Sequence, residues 1–264
     1  MEILSIKTPI IVPGDDYVQI FLDALVENNV KLRPGDIILA AETAIGTAQN
    51  RIVDLEDITE VSEKASLIAG KYKMDERFVQ AIMDESQEIL GGVDHVLLTL
   101  AYGLLLANAG IDQSNAGGPG KICKFPADLW GTVRQFRKDL EERTGISPLG
   151  AILADSRVQP LKVGIIGNAI SVSGFNPIID MRGHPDLFGR PLQIKKIAIA
   201  DELTSAAEVM MGEADEATPF VVIHDAPVQF IPDEEIQEDV MFMPPDLCLF
   251  MNVFRNYKKE PILL

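Results

Sequence analysis

Cysteine is scarce in this chain, with only Cys123 and Cys248 among 264 residues. Two thiols so far apart make neither a disulfide framework nor a CxxC metal site, and such usage fits a reducing compartment. Three histidines, His95, His184 and His224, have no metal-ligand spacing, so a zinc centre is not expected. Long apolar runs are missing too. None approaches the ~20 residues of a membrane span. The opening MEILSIKTPIIVPGDD has no basic start and no long apolar core, so no secretory leader is expected. The expectation is a soluble, cytoplasmic protein. Positive charge is in short supply: 23 Lys plus Arg against 40 Asp plus Glu leave a net charge of −17. That field disfavours nucleic acid and anionic membranes as partners. An anionic small molecule binds only where a local cation or a metal reverses it. There is no GxxxxGK(S/T) phosphate loop and no GxSxG elbow, which sets aside P-loop nucleotide chemistry and a serine hydrolase.

Hydrophobic residues form 47% of the sequence, enough for a sizeable core in one large domain or two small ones. Strands are expected over Ile3–Ile11, broken by Pro9, and over the apolar run Ile37–Ala41. Others are expected over 96–106, split at Gly103, then at Ala151–Ala154, Leu192–Ala200 and Phe220–His224. Apolar spacing of three and four predicts a helix through Val18, Phe21, Leu22, Leu25 and Val26. Further helices are expected through Val61, Ala65 and Ile68, and from an Asp75 cap through Val79, Ile82, Met83, Ile89 and Leu90 to Gly91-Gly92. Residues 127–143 read as another, and Asp201 caps one through Leu203 and Met211. A last helix carries Leu247, Phe250, Met251 and Phe254, after an acidic, solvated stretch from Asp233 to Asp239. Helices and short strands mix without strict βαβ alternation, so the expected fold class is α+β.

Three acidic groups stand at the ends of apolar elements: Asp112, Asp155 and Glu213. Each alone is also read as a cap or turn residue. Carboxylates at element ends converge on a site more readily than those on helix faces. Held together they repel unless a cation neutralises them. Asp155 is followed by Ser156, and a carboxylate beside a hydroxyl suits a hard divalent ion such as Mg²⁺ or Mn²⁺. The stretch 151–190 adds a small-residue segment, Gly164 to Gly174, and a polar turn with Asp180, Arg182, His184, Asp186 and Arg190.

These blocks, in this order and spacing, resemble the coenzyme F420-0:γ-glutamyl ligase family over roughly residues 1–224. The likeness is carried by Thr8-Pro9-Ile10-Ile11 with the Gly14-Asp15-Asp16 turn, FVQAIMDESQEIL (78–90), and NAGIDQSN (108–115). It continues through Asp155-Ser156, VGIIGNAISVSG (163–174), RGHPDLFGR (182–190), Ala200-Asp201-Glu202-Leu203 and Met211-Gly212-Glu213. The resemblance implies a ligase-like domain over 1–224, with 225–264 extending it as the acidic segment and C-terminal helix. It also implies an intertwined homodimer. The implied reaction uses GTP as co-substrate to turn the F420-0 carboxylate into an acyl phosphate, which the amine of L-glutamate then displaces. Two Mg²⁺ or Mn²⁺ ions are implied, with Asp112 and Asp155 on one and Ser156 and Glu213 on the other. Thr8, Pro9, Ile10, Ile11, Asn115, Met211, Gly212, Ala214 and Asp215 would contact the nucleotide.

The chain departs from the family pattern at four positions. Glu42, with Thr43, stands where the family has a polar pair, and Thr47 where it has a phosphate-contacting lysine. Val158 and Gln159 replace a Gly-Arg pair. These leave open another carboxylate acceptor, or a paralogue without ligase activity that binds nucleotide and metal or regulates. Metal-dependent hydrolysis of a phosphate ester is a weaker third reading.

Overall fold

The computed structural model describes residues 1–257. In chain order the strands are β1 (Glu2–Ile6), β2 (Ile37–Ala41), β3 (Ile52–Asp54), β4 (Glu88–Val93), β5 (Val96–Ala101) and β6 (Leu104–Ala107). They continue with β7 (Lys121–Cys123), β8 (Gly150–Val158), β9 (Ile165–Ser173), β10 (Ile179–Asp180), β11 (Lys196–Ile197) and β12 (Phe220–His224). The helices are α1 (Tyr17–Glu27), α2 (Glu42–Ala48), α3 (Glu63–Tyr72), α4 (Glu76–Glu85), α5 (Leu129–Thr144), α6 (Ile199–Met211) and α7 (Leu249–Tyr257). The mixture is α+β, as the sequence pattern indicates.

The principal sheet has the order β1-β12-β2-β8-β9. Only the β2–β8 pair is parallel; the other neighbours are antiparallel. Its central strands are apolar on both faces, so they read as continuous runs. Side chains alternate between two cores. Ile38, Ala40, Ala151, Leu153 and Val222 face α1, α4 and α5. Ile37, Leu39, Ile152, Ala154 and Val221 face Leu203 and Ala207 of α6. In the first core the rings of Phe21 and Phe136 close on Phe220, at centroid distances of 5.1 and 6.0 Å. Burying each ring contributes about 2–3 kcal/mol. Local signals set the helix ends. Asp16, Ser62, Asp75 and Asp128 each accept a backbone N–H at an N-terminus, and Gly145 closes α5 at φ +69°.

Several sequence expectations are corrected. β1 stops at Ile6, and Lys7–Ile11 continues as a loop. The helix expected to reach Leu90 ends at Glu85, and Ile89 and Leu90 lie in β4. Pairing within β4-β5-β6 captures them, with Ile89 opposite Thr99. Their spacing from Val79 and Ile82 suited a helix, yet tertiary pairing overrides so short a periodicity. In 192–200 only Lys196–Ile197 is strand, and α6 begins at Ile199. Asp201 therefore lies in the first turn, where its carboxylate accepts Ala169 N–H at 3.0 Å. β8 runs on to Val158, so Asp155 and Ser156 sit inside the strand, not after it. The small-residue segment after Gly164 is an ordinary paired strand, β9. α7 starts at Leu249, and of its apolar residues Met251 is buried while Phe250 and Phe254 stay exposed.

The acidic stretch after Pro232 is not wholly solvated. Asp233 is buried and accepts from Ser173 Oγ at 2.8 Å, Gly174 N at 2.9 Å and Arg137 Nη2 at 2.8 Å. Arg137 also holds Glu141 at 2.7 Å. This pair ties the segment after β12 to the end of β9. Asp233→Ala leaves the half-buried Arg137 guanidinium with Glu141 and Ser173 as partners, so the expected loss of stability is about 2 kcal/mol in urea unfolding. A loss under about 1 kcal/mol would show that solvent replaces the carboxylate.

Candidate functional site

Strand direction assembles the site. β1, β2 and β8 run the same way, because β12 is antiparallel to β1 and β2 while β8 is parallel to β2. Their C-terminal ends therefore share one edge, where ligands of open sheets are commonly held. Each of these ends delivers functional groups. β1 leads into Thr8–Ile11. Ala41 and Ala154 sit side by side in the parallel pair, and the next residues are Glu42 and Asp155. β12 starts at the same edge, preceded by the 211–219 segment. Thr8 N–H to the Ala217 carbonyl, 2.9 Å, and Ala41 N–H to the Pro219 carbonyl, 2.8 Å, fasten these segments together. A cavity of about 530 Å³ opens between them.

Asp112 enters from the loop after β6. Its backbone exchanges two hydrogen bonds with Cys123, at 3.0 and 2.8 Å, which fix the carboxylate. Gly110 allows the approach: at φ +72° a Cβ there would stand 2.4 Å from the Phe125 ring. Thr43 Oγ1 lies 2.5 Å from Glu42 Oε1 and 2.9 Å from Asp112 Oδ2. One hydroxyl hydrogen serves only one of these two carboxylates at a time.

Burial and like charge act together on the carboxyls of the cavity. Burial, then the charges of Asp155 and Asp112, push the Glu42 carboxyl well above the usual carboxylate range. Burial, then Asp112 and also Glu213, push Asp155 well above it too. Asp112 is raised by burial, with the Glu213 charge adding to the shift. Glu208 is pushed up to about 8 by burial and by the facing Glu213 carboxylate. Apart from Glu213, no polar partner is placed within hydrogen-bond reach of the Glu208 oxygens among the described residues. Among the described residues, no Lys, Arg or His lines the cavity. Two like charges ~4 Å apart at an effective dielectric of ~20 repel by about 4 kcal/mol. Such a group of acids stays ionised only with a cation among them; otherwise several hold protons.

Every residue singled out from the sequence as a ligand or nucleotide contact lines this one cavity. Thr8, Pro9, Ile10 and Ile11 form one wall, while Asp112, Asp155, Ser156 and Glu213 surround the interior. Met211, Gly212, Ala214, Asp215 and Asn115 close another side, where Asn115 Nδ2 donates to the Ala214 carbonyl at 3.1 Å. Glu42 and Thr47 line it as well; Val158 and Gln159 do not. Sequence reasoning misses Glu208 and Gly167. A signal for Glu208 is present: with Thr204 it interrupts the inward stripe of Ala200, Leu203 and Ala207 on α6.

The residues fit hard divalent cations. The donors are carboxylates and one hydroxyl, and the one close polar neighbour of the buried Glu208 oxygens is another acid, Glu213. Among the described residues no three His, Cys, Asp or Glu side chains close into a ready-made cage. Mutual repulsion spaces the acids around the cavity, which leaves room for water or phosphate oxygens to complete a coordination shell.

The family model described as F420-0:Gamma-glutamyl ligase matches residues 5–225. The chain belongs to this family. Relatives named coenzyme F420:L-glutamate ligase share its length. The one from Methanothermobacter thermautotrophicus is 39% identical over 220 residues, covering 83% of this chain and 86% of its own. That from Methanocaldococcus jannaschii is 38% identical over 231 residues, covering 87% and 90%. That from Methanosarcina barkeri is 32% identical over 252 residues, covering 96% and 95%. Membership in the F420-0:gamma-glutamyl ligase family places the chain among ligase enzymes. No helix among the described residues is long and apolar enough to cross a membrane.

The raised carboxyls give the metal-free protein a pH signature. The unfolded chain releases these protons near pH 4–4.5, while the folded state keeps them to higher pH. The folded state binds more protons in that window, so its stability falls as pH rises. The melting temperature without divalent ions is expected to increase as pH drops from 8 to 5.5. Glu42→Gln is expected to flatten that slope. Stability that is flat or rises with pH in the wild type over this range would contradict the arrangement.

Proposed function

We propose that the protein is a metal- and GTP-dependent γ-glutamyl ligase that joins L-glutamate to F420-0 or to a chemically similar carboxylate acceptor. One observation carries this reading. In a chain of the ligase family, one cavity gathers carboxylates from α2, β8, α6 and two loops, with no Lys, Arg or His lining it among the described residues. Only a ligand that brings cations makes such a cavity useful for phosphates.

In the proposed reaction an acceptor carboxylate oxygen attacks the γ-phosphorus of GTP, and GDP leaves. The amine nitrogen of glutamate then attacks the acyl carbon, loses a proton, and phosphate leaves with its bonding pair. Two Mg²⁺ or Mn²⁺ ions would supply charge neutralisation for the phosphates. Asp112 and Asp155 would hold one, and Ser156 and Glu213 the other. Thr8 to Ile11 and the 211–215 segment would grip the nucleotide through backbone and small side chains. The apolar edges of that wall, with Ile10 exposed, suit a base or ribose better than a phosphate. The intertwined dimer belongs to the same proposal. Leu161, Val163, Leu187, Phe188 and Ile194, all exposed on the loops beyond β8 and β9, are the apolar surface that supports it.

A second reading has its own observation. Thr47 is buried, and its hydroxyl lies 3.8 Å from Cys123 Sγ where a lysine would carry charge into the cavity. Weakened phosphate binding favours a nucleotide- and metal-binding protein without ligase activity. Incubation with Mn²⁺, GTP, L-glutamate and F420-0 separates the two: ligation yields GDP and a product heavier by one glutamate residue. Neither product nor a GTP-induced thermal shift would sink the ligase reading for this acceptor. Asp155→Asn is expected to remove the metal-dependent thermal shift. Thr47→Lys is expected to tighten GTP binding about tenfold, the size of one charge-assisted contact.

A further inference from the structure

Both carboxylate oxygens of Glu208 are shielded from solvent, and their one close polar neighbour is another acid, Glu213. An ionised carboxylate cut off from water and from donors is strongly disfavoured, and buried polar atoms in native folds have partners. Glu208 reaches the cavity from the last two turns of α6, and among the described residues no Lys, Arg or His lines the cavity to serve it.

The opposite wall is shaped to admit it. Gly167 sits directly across the β8–β9 ladder from Ser156. A Cβ on Gly167 would stand 2.7 Å from Glu208 Oε2 and 2.6 Å from the Thr204 carbonyl oxygen. The missing side chain therefore lets the Glu208 carboxylate lie against the strand pair that carries Ser156. Glu213, just past the end of the same helix, turns its own carboxylate toward Glu208. Glu208 from α6 and Glu213 from the loop after it thus face one another beside the strand position that carries Ser156.

We infer that Glu208 is itself a ligand of a divalent cation, shared with Ser156 and Glu213, and that Gly167 is the residue that makes room for it. The inference rests on the metal-dependent reading of the cavity and adds one protein ligand to it. Hard oxygens of this kind suit Mg²⁺ or Mn²⁺, with the remaining positions open to water or phosphate. The shielded oxygens, the glycine gap and the facing Glu213 then have one cause.

The test is the binding of Mn²⁺ alone to the full chain, measured by isothermal titration calorimetry. The wild type is expected to bind two equivalents. Glu208→Gln keeps the shape and loses the charge, and is expected to weaken one equivalent roughly tenfold or more while sparing the other. Gly167→Ala presses on the Thr204 backbone as well as on the carboxylate, and is expected to weaken the same equivalent and to lower the metal-free melting temperature. Without metal, Glu208→Gln is expected to melt no lower than the wild type, because an acid facing another acid has been removed. Two equivalents of unchanged affinity in both variants would overturn the assignment and leave the metal reading standing. A wild type that binds no Mn²⁺ would overturn both.

Discussion

Mutual repulsion among carboxylates at the shared edge of β1, β2, β8 and β12 is the constraint on which the rest of this structure depends. The sheet could end there in neutral turns. Instead Glu42 and Asp155 follow neighbouring parallel strands, Asp112 is clamped to Cys123, and Glu208 and Glu213 approach from the α6 side. Thr43 Oγ1 lies against two of them, Glu42 and Asp112. The surrounding fold must be rigid enough to hold them in place, and its two apolar cores provide that rigidity.

The apolar framework and the acidic edge are linked by residue size. Ala41, Ala154 and Gly167 are small where the cavity opens, so the strands end in space and the acids can reach it. Ala40 and Ile152, one or two residues back, are fully buried. The same strands thus change from packing to chemistry within two residues. On the far side, Asp233 and Arg137 fasten the segment after β12 to the end of β9, away from the cavity. An ion pair partnered on both sides there contrasts with the unpaired acids of the site.

Much of this is legible from residue order. The run Ile37–Ala41 announces a buried strand, and Asp16, Asp75 and Gly145 announce helix ends, because these signals act within a few residues. The two-strand reading of 96–106 rests on Gly103, which sits at a tight turn with φ +79°. Asp112, Asp155 and Glu213 stand out as acids at element ends, and the structure brings them to one cavity. The features that escape depend on contacts distant in sequence. Ile89 and Leu90 have helical spacing and become strand only because Ile89 pairs with Thr99, with Leu90 at the irregularity before Gly91 pairs with Leu98. Asp233 reads as one more acid in an acidic stretch until Arg137 is seen beside it. Glu42 reads as an unfavourable neighbour for phosphate, and the structure shows it buried and pushed toward the neutral form by Asp155 and Asp112. Glu208 reads as one more charged helical residue beyond its place in the inward stripe of α6, and the gap at Gly167 is what shows how close it comes to β9.

The central claim is that divalent cations, and not protons alone, complete this cavity. Diffraction at the manganese absorption edge, from crystals of the full chain grown with Mn²⁺, tests it most directly. Two anomalous peaks are expected inside the cavity, one between Asp112 and Asp155 and one against Ser156 and Glu213. A cavity with no anomalous density, its carboxylates in contact through shared protons, would contradict it.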